Sequence, residues 1–312
     1  MTTLPVLGVP VRFASNDPTA AREIEGRYGA WRPLVGRADL LSQSVVHVRI
    51  IVHRAGNDDL PNSLNLYRLP DRERLVVVVP GGIGVADLLR KDAVAYVSPA
   101  LVEASDRFHF GLLEALTLFL VAHEDRQPLH AAAVTRRGMA LLLAGSSGVG
   151  KSTLAYAALS RGFSLLSDDV AYLQVRPRMR VWGKPGQLSL PRDAVRFFPE
   201  LGTVPPAWRP GGEKVVVSVP VPKEDCGLLA SDAMVCLVER GETLALESVD
   251  SATIAEALRS RVEPGFDLFL DTMRDAILAL AATGGWRIML GDSPAAAAAL
   301  LREAVDGARP GR

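Results

Sequence analysis

LLLAGSSGVGKSTLAYAALSRGFSLLSDDVAYL, residues 141–173, decides how this chain is read. An apolar run, MALLLA at 139–144, leads into the glycine-rich turn GSSGVGKS, and the alanine-rich LAYAALSR leads out. Gly145 to Ser152 fits G-x-x-x-x-G-K-[ST] completely, between an expected strand and an expected helix. Glycines suit a chain that wraps an anion, because a Cβ would obstruct left-handed dihedrals and close backbone approach. The N–H groups at the helix start add partial positive charge. Lys151 would reach the β- and γ-phosphates, and the Ser152 hydroxyl would ligate Mg²⁺. A purely structural turn leaves Lys151 and Ser152 unexplained, so the stretch reads as a nucleoside triphosphate cradle.

The second half raises a different question, because it ends in adjacent carboxylates, Asp168 and Asp169. The helix is expected from Lys151 to Arg161, stopped by Gly162 as a left-handed cap. FSLLS at 163–167 is then the next strand, laid by a right-handed crossover parallel to MALLLA and beside it. Its far end returns to the edge of the sheet that carries the loop, where open sheets bind ligands. Side chains alternate faces along a strand, so the two aspartates address different partners. One can hold a metal while the other faces an acceptor hydroxyl beside the γ-phosphate. A turn or helix cap is the plainer alternative.

The rest of the chain supplies context. With 312 residues, 48% hydrophobic and 22% charged, the composition is globular, with material for one large domain or for two. Lys plus Arg balances Asp plus Glu, 35 against 35, which argues against a dedicated nucleic-acid binder. Cys226 and Cys236 make no C-x-x-C pair and read as reduced or buried thiols. The start, MTTLPVLGVPVRFASNDP, lacks the pattern of a signal peptide, and no uncharged stretch approaches the ~18 apolar residues of a membrane span. A cytoplasmic protein is expected.

Residues 1–110 read as a smaller α+β domain for substrate recruitment or assembly, with strands VRFAS, VVHVRIIVHR and RLVVVV and a helix at DPTAAREIEGRYG. PGGIGVADLLRKD, 80–92, lacks the full dinucleotide fingerprint and reads as a tight turn leading into a helix. FHFGLLEALTLFLVA, 108–122, is an apolar helix and HEDRQP a surface turn, with the domain boundary placed near residue 110. Residues 111–312 form the P-loop domain. After the aspartates, VAYLQV, MRVWG, KVVVSVP, MVCLVER and LALESV follow one another without crossover helices, so a mixed sheet with antiparallel strands is expected. SATIAEALRSRV, LFLDTMRDAILALAA and SPAAAAALLREAV are helices and WRIML a strand, with Ser293 and Pro294 opening the last helix.

His130 in LHAAAV, the loop at 145–152, the helix end Arg161-Gly162 and the doublet in LLSDDVAYL together resemble the HPr kinase/phosphorylase family. That family shares a P-loop variant with the phosphoenolpyruvate carboxykinases. The resemblance covers residues 130–173 well and the later strands loosely. It implies a mixed sheet and an ATP- and Mg²⁺-dependent serine kinase. Asp168 would be the general base, Asp169 would help hold Mg²⁺ with Ser152, and His130 would sit beside the phosphates. Read alone, a histidine before an alanine run is a satisfied core residue, and His47, His53, His109 and His123 keep that reading. The Glu-x-Arg-Gly-x-Gly signature of the bifunctional enzymes is absent. RVWGKPGQLSLP stands in its place, without the glutamate that would ligate magnesium, and whether phosphorylase activity occurs is left open. The leader domain and the G-x-P-x-x-x-x-L segment look more like the kinases that tailor lasso-peptide precursors at a C-terminal serine. Lys184 and Lys214 are candidate phosphate or acceptor contacts, or solvated lysines.

The leading expectation is therefore a kinase for a serine hydroxyl of a peptide or small protein. A small-metabolite kinase and a non-catalytic ATP-binding regulatory module are the alternatives. Gly145, Ser146, Ser147, Gly148, Val149, Gly150, Lys151, Ser152 and Thr153 would contact ATP. Asp168, His130 and Lys151 would be catalytic, and Ser152 and Asp169 would hold the metal. No nucleic-acid or membrane partner is expected, and homo-oligomerisation is left open.

Overall fold

A computed structural model describes residues 1–53, 64–69, 73–184, 186–221, 227–260 and 270–307, without the side chains of Arg68 and residues 270–272. Cys226, Pro185, residues 261–262 and residues 268–269 of the expected helices lie outside the described residues. Two compact units divide the chain, 1–124 with 207–213, and 125–206 with 214–312. Residue 110 falls inside a helical run of the first unit.

In the first unit, strands β1 (Thr2–Val6), β2 (Val9–Ser15), β3 (Val46–Val52), β4 (Asn65–Arg68), β5 (Arg74–Val79), β6 (Gly82–Asp87) and β7 (Asp92–Val97) form one sheet. Its order is β1-β2-β3-β7-β6-β5-β4, parallel at β2–β3–β7 and antiparallel elsewhere. Alternation drives the pairing, since β3 buries Val46, Val48, Ile50 and Val52 and exposes His47 and Arg49. Helix α1 (Pro18–Tyr28) starts where the Asp17 carboxylate accepts from the amides of Thr19 and Ala20. A short helix α2 (Pro99–Glu103) follows β7, then a π-helical turn at Arg107–Leu113 that runs into α3 (Glu114–Ala122). The helix expected at 80–92 does not form. The turn at Pro80-Gly81 opens β6, whose glycines lie on its buried face beneath Leu101 and Leu116, so they serve close packing of a strand.

The second unit begins with β8 (Gln127–Arg136) and β9 (Met139–Ala144), a hairpin closed by Arg137 and Gly138 at φ +53° and +80°. HEDRQP is a turn only through residue 125, because Gln127 already belongs to β8. Helix α4 (Lys151–Leu159), strands β10 (Ser164–Ser167), β11 (Val170–Gln174), β12 (Arg180–Trp182) and β13 (Gln187–Leu190) follow. Two 3-10 turns, Arg192–Arg196 and Pro199–Thr203, lead to β14 (Pro206–Arg209) and β15 (Gly212–Ser218), of which residues 207–213 belong to the first unit, and then to β16 (Leu229–Ala230), β17 (Asp232–Arg240) and β18 (Ala245–Val249). Helices α5 (Ser251–Ser260) and α6 (Leu270–Ala281), strand β19 (Gly285–Leu290) and helix α7 (Pro294–Gly307) complete it. The Ser293 hydroxyl accepts from the Ala296 amide, as its N-cap position anticipates.

The large sheet runs β16-β12-β11-β8-β9-β17-β19-β18, with β10 also paired to β8. β9, β17 and β19 are parallel, while β8, β11, β12 and β18 enter antiparallel. The fold class is thus a mixed α/β sheet. β10 runs in the direction of β9 but does not adjoin it, which corrects the expected neighbour relation. The hairpin has already placed β8 on that side of β9, and β17 occupies the other, so the crossover through α4 lands one strand further out. β9 is covered on both faces, which is why MALLLA is apolar without alternation. Leu154, Ala155 and Ala158 of α4 and Ala297, Ala298 and Leu301 of α7 share its core with Leu141, Leu143, Cys236 and Val238. Among the described residues no helix is long and apolar enough to cross a membrane.

Candidate functional site

The loop leaves β9 and turns into α4 at a spacing only glycine permits. Gly150 caps the helix at φ +119°, and a Cβ on Gly145 would stand 2.5 Å from the Val238 carbonyl oxygen of β17. The buried Lys151 ammonium folds across the loop and donates to the carbonyls of Gly145 at 2.8 Å and Ser146 at 3.1 Å. Gly145 and Ser146 therefore act through their carbonyls, while residues 147–153 line a cavity of about 520 Å³.

The doublet stands beside this loop. β10 and β11 both pair with β8, and the chain breaks from the ladder between Ser167, opposite Ala133, and Val170, opposite His130. The break is a tight turn, with the Val170 amide donating to the Asp168 carbonyl at 2.7 Å and Asp169 at φ +67°. The Ser167 hydroxyl braces it by donating to the Val170 carbonyl at 2.5 Å and accepting from the Lys184 amide at 3.1 Å. The aspartates are consequently at a kink along one edge of β8 rather than at a free strand end, and they diverge.

Asp168 accepts from the Ser152 hydroxyl at 2.8 Å and from the Ser189 amide of β13 at 2.6 Å. Part of its surface meets solvent, yet protein crowds it closely enough that burial pushes its carboxyl above the ordinary range. The Ser189 amide, the Ser152 hydroxyl and Lys214 oppose that shift, and Asp169 adds to it. Asp169 is exposed, lines the cavity, and has an oxygen 3.6 Å from His130 Nδ1.

His130, Lys214 and Asp169 thus meet the loop around one space, whereas Lys184 is not among the residues lining it. His109 is elsewhere, paired with Glu23 at 2.9 Å in the first unit, where burial lowers its pKa. Several lining residues carry no signal in the sequence. Ser189 contributes its backbone amide. Arg196 and Phe197 come from a 3-10 turn and stack at 4.5 Å, and Arg240 ends β17 and donates to the Gly148 carbonyl at 3.0 Å. Only the parallel pairing of β17 beside β9, illegible before the fold, brings Arg240 to the loop.

Among the described residues, no group of three or more His, Cys, Asp or Glu side chains is placed to hold a metal. The Ser152 hydroxyl and the neighbouring carboxylates are hard oxygen donors of the kind Mg²⁺ takes when substrate phosphates supply the remaining ligands.

No family model matches the chain. It is 33% identical to the HPr kinase/phosphorylase of Streptococcus thermophilus over 66 residues, 21% of this chain and 21% of the relative. It is 31% identical to that of Streptococcus gordonii over 64 residues, 20% of this chain and 21% of the relative. The match thus spans about a fifth of these relatives' length. The Hpr(Ser) kinase/phosphatase structure from Coxiella burnetii aligns at a TM-score of 0.31 and 15% identity, covering 57% of this chain and 96% of that one. Over 21% of its length, the chain is HPr kinase/phosphorylase-like.

Proposed function

We propose that the second unit is an ATP-dependent kinase that transfers the γ-phosphate to a serine hydroxyl of a peptide or small protein. The observation that carries this is the bond from Ser152, the loop hydroxyl, to Asp168, with Asp169 on the cavity side beside His130. Lys151 and the loop amides hold the triphosphate. The acceptor oxygen attacks the γ-phosphorus, its proton passes to a carboxylate, and the bond to the bridging oxygen breaks, releasing ADP with that electron pair. Ser152 and Asp168 would hold Mg²⁺, which when bound offsets charge on the phosphate oxygens.

The resemblance gives the base role to Asp168 and the metal role to Asp169. The side-chain positions favour the exchange, with Asp168 on the Ser152 side and Asp169 toward the acceptor, an oxygen of its carboxylate 3.6 Å from His130 Nδ1. One observation favours the original assignment, because a carboxyl held above its ordinary range is a stronger base. Lys214, Arg196 and Phe197 lie on the acceptor side. The finer substrate is a C-terminal serine, as in the lasso-peptide precursor kinases, and the first unit would recruit that peptide or mediate assembly.

Transfer from labelled ATP to serine peptides tests the reading. Asp169→Asn should cost about 10²–10⁴-fold in rate with nucleotide binding intact, the usual consequence of losing an acid–base group. Asp168→Asn should also lower transfer, and should raise the Mg²⁺ concentration needed to support it. Full transfer by both variants, or ATP binding with no turnover against any acceptor, would sink the kinase assignment.

A further inference from the structure

The cavity has two unlike flanks on either side of the loop. The sheet runs β11-β8-β9-β17-β19, so the loop after β9 is central, with the doublet on the β8 side. On the other side the C-terminal ends of β17 and β19 reach the same sheet edge, because both strands are parallel to β9. They bring Arg240, Leu290, Gly291 and Asp292 to the cavity, together with Pro294 at the start of α7. This wall abuts the loop directly, since a Cβ on Gly150 would stand 3.0 Å from Leu290 Cδ1.

A triphosphate is a linear chain, and its two ends must leave the loop in opposite directions. If the terminal phosphorus faces the doublet, the α-phosphate and nucleoside extend toward β17 and β19. The chemistry of that wall agrees. Arg240, fixed by the Gly148 carbonyl at 3.0 Å, sets a cation at the loop's far side. Beyond it, Leu290, Gly291 and Pro294 present apolar or side-chain-free surface suited to a sugar or base face. Asp292, exposed and close to an anion cradle, would repel a phosphate. It can accept from a part of the ligand that carries donors, such as the vicinal hydroxyls of a ribose, whereas Asp193 on the opposite flank is paired with Arg196 at 3.8 Å.

We infer that the Arg240–Leu290–Asp292 flank is the nucleoside subsite, in which the Asp292 carboxylate accepts hydrogen bonds from the ribose hydroxyls. This rests on the proposed seating of a triphosphate in the loop, with its γ end at the doublet. The flank bearing Arg196, Phe197 and Lys214 is left to the acceptor.

Calorimetric titration of the full chain with ATP, 2′,3′-dideoxy-ATP and inorganic tripolyphosphate, each with Mg²⁺, tests it. For the wild type, removing both hydroxyls should weaken binding about 10- to 100-fold, the usual scale for hydrogen bonds to a charged group. Asp292→Asn should weaken ATP to a similar degree, should barely affect dideoxy-ATP, and should leave tripolyphosphate unchanged. Asp292 is exposed, so the variant should fold, and the dideoxy ligand probes the same contact on the unaltered protein. Equal loss for ATP and tripolyphosphate, or no loss for either, overturns the subsite while the loop assignment stands. A variant that changes only the acceptor's KM overturns it too. If the wild type binds neither ATP nor tripolyphosphate, the loop assignment itself fails and the subsite falls with it.

Discussion

Replacing Asp168 by asparagine should separate what this carboxylate does for folding from what it does for chemistry. The side chains are nearly isosteric. The amide oxygen can keep the bond from the Ser189 amide, and the amide nitrogen can donate to Ser152 once its hydroxyl rotates. Two bonds to a charged acceptor contribute about 3–6 kcal/mol, and their neutral replacements about 1–3 kcal/mol. The exchange therefore loses about 2–3 kcal/mol of hydrogen bonding, against the several kcal/mol that burying a carboxylate costs. The direction of the shift decides between them, since the carboxyl lies above its ordinary range and burial outweighs its partners.

Asp168→Asn should accordingly melt at or above the wild-type temperature while phosphate transfer falls by about 10²-fold or more, the scale of losing one charge-stabilising contact at the phosphates. The pH dependence has a definite sign. Between the unfolded carboxyl value of about 3.9 and the raised folded value, the unfolded chain has lost a proton that the folded chain keeps, so stability falls as pH rises. The variant lacks that loss. Its advantage should vanish at acid pH and reach its full size above the folded pKa. Thermal melts across pH, run beside transfer assays, read both quantities. A variant that melts well below the wild type, or one with full activity, would refute the proposed role of Asp168 as a crowded, partly buried carboxylate that transfer requires.

Lys151→Met should keep the fold, because the new side chain fills the same buried space, but should abolish nucleotide binding by calorimetry. Gly150→Ala places a side chain at φ +119° and against Leu290, and should cost about 1–3 kcal/mol in a denaturant melt along with most ATP affinity. Asp306 is held below the usual carboxylate range by Arg136, with bonds of 2.8 Å from two guanidinium nitrogens. Its contribution is present above the unfolded pKa and lost as pH falls through the lowered folded value. Asp306→Asn should therefore lower the melting temperature at neutral pH and converge with the wild type in acid.

Much of this was legible in the residues. The loop motif, the cap at Gly162 with φ +82°, the alternation of β3 and the succession of turn-linked strands are local signals, and local signals survive into the fold. Pairing partners are not local. FSLLS says that it is a strand, but whether it lies against β8 or β9 depends on the two-residue turn at 137–138 that hairpins β8 onto β9 first. PGGIGVADLLRKD misled for a related reason. Its glycines meant close approach of a neighbouring helix, which only tertiary packing reveals. Ser189 was out of reach altogether, because a backbone amide leaves no trace in residue type.

The doublet itself shows why a strand rule read from sequence gave a correct conclusion for an incomplete reason. Alternation along a regular strand predicts divergence, yet the strand is not regular here. Asp169 at φ +67° is a non-glycine residue in a left-handed conformation inside a tight turn, which costs on the order of 1–3 kcal/mol. That cost persists because the ladder to β8 resumes at Val170 opposite His130, and because the Ser167 hydroxyl spans the kink. A plain extended strand would satisfy the same backbone more cheaply, but could not set one carboxylate under the Ser152 hydroxyl and the other beside His130. Under the proposed transfer reading, strain at the residue where the two directions separate serves the site built around that separation.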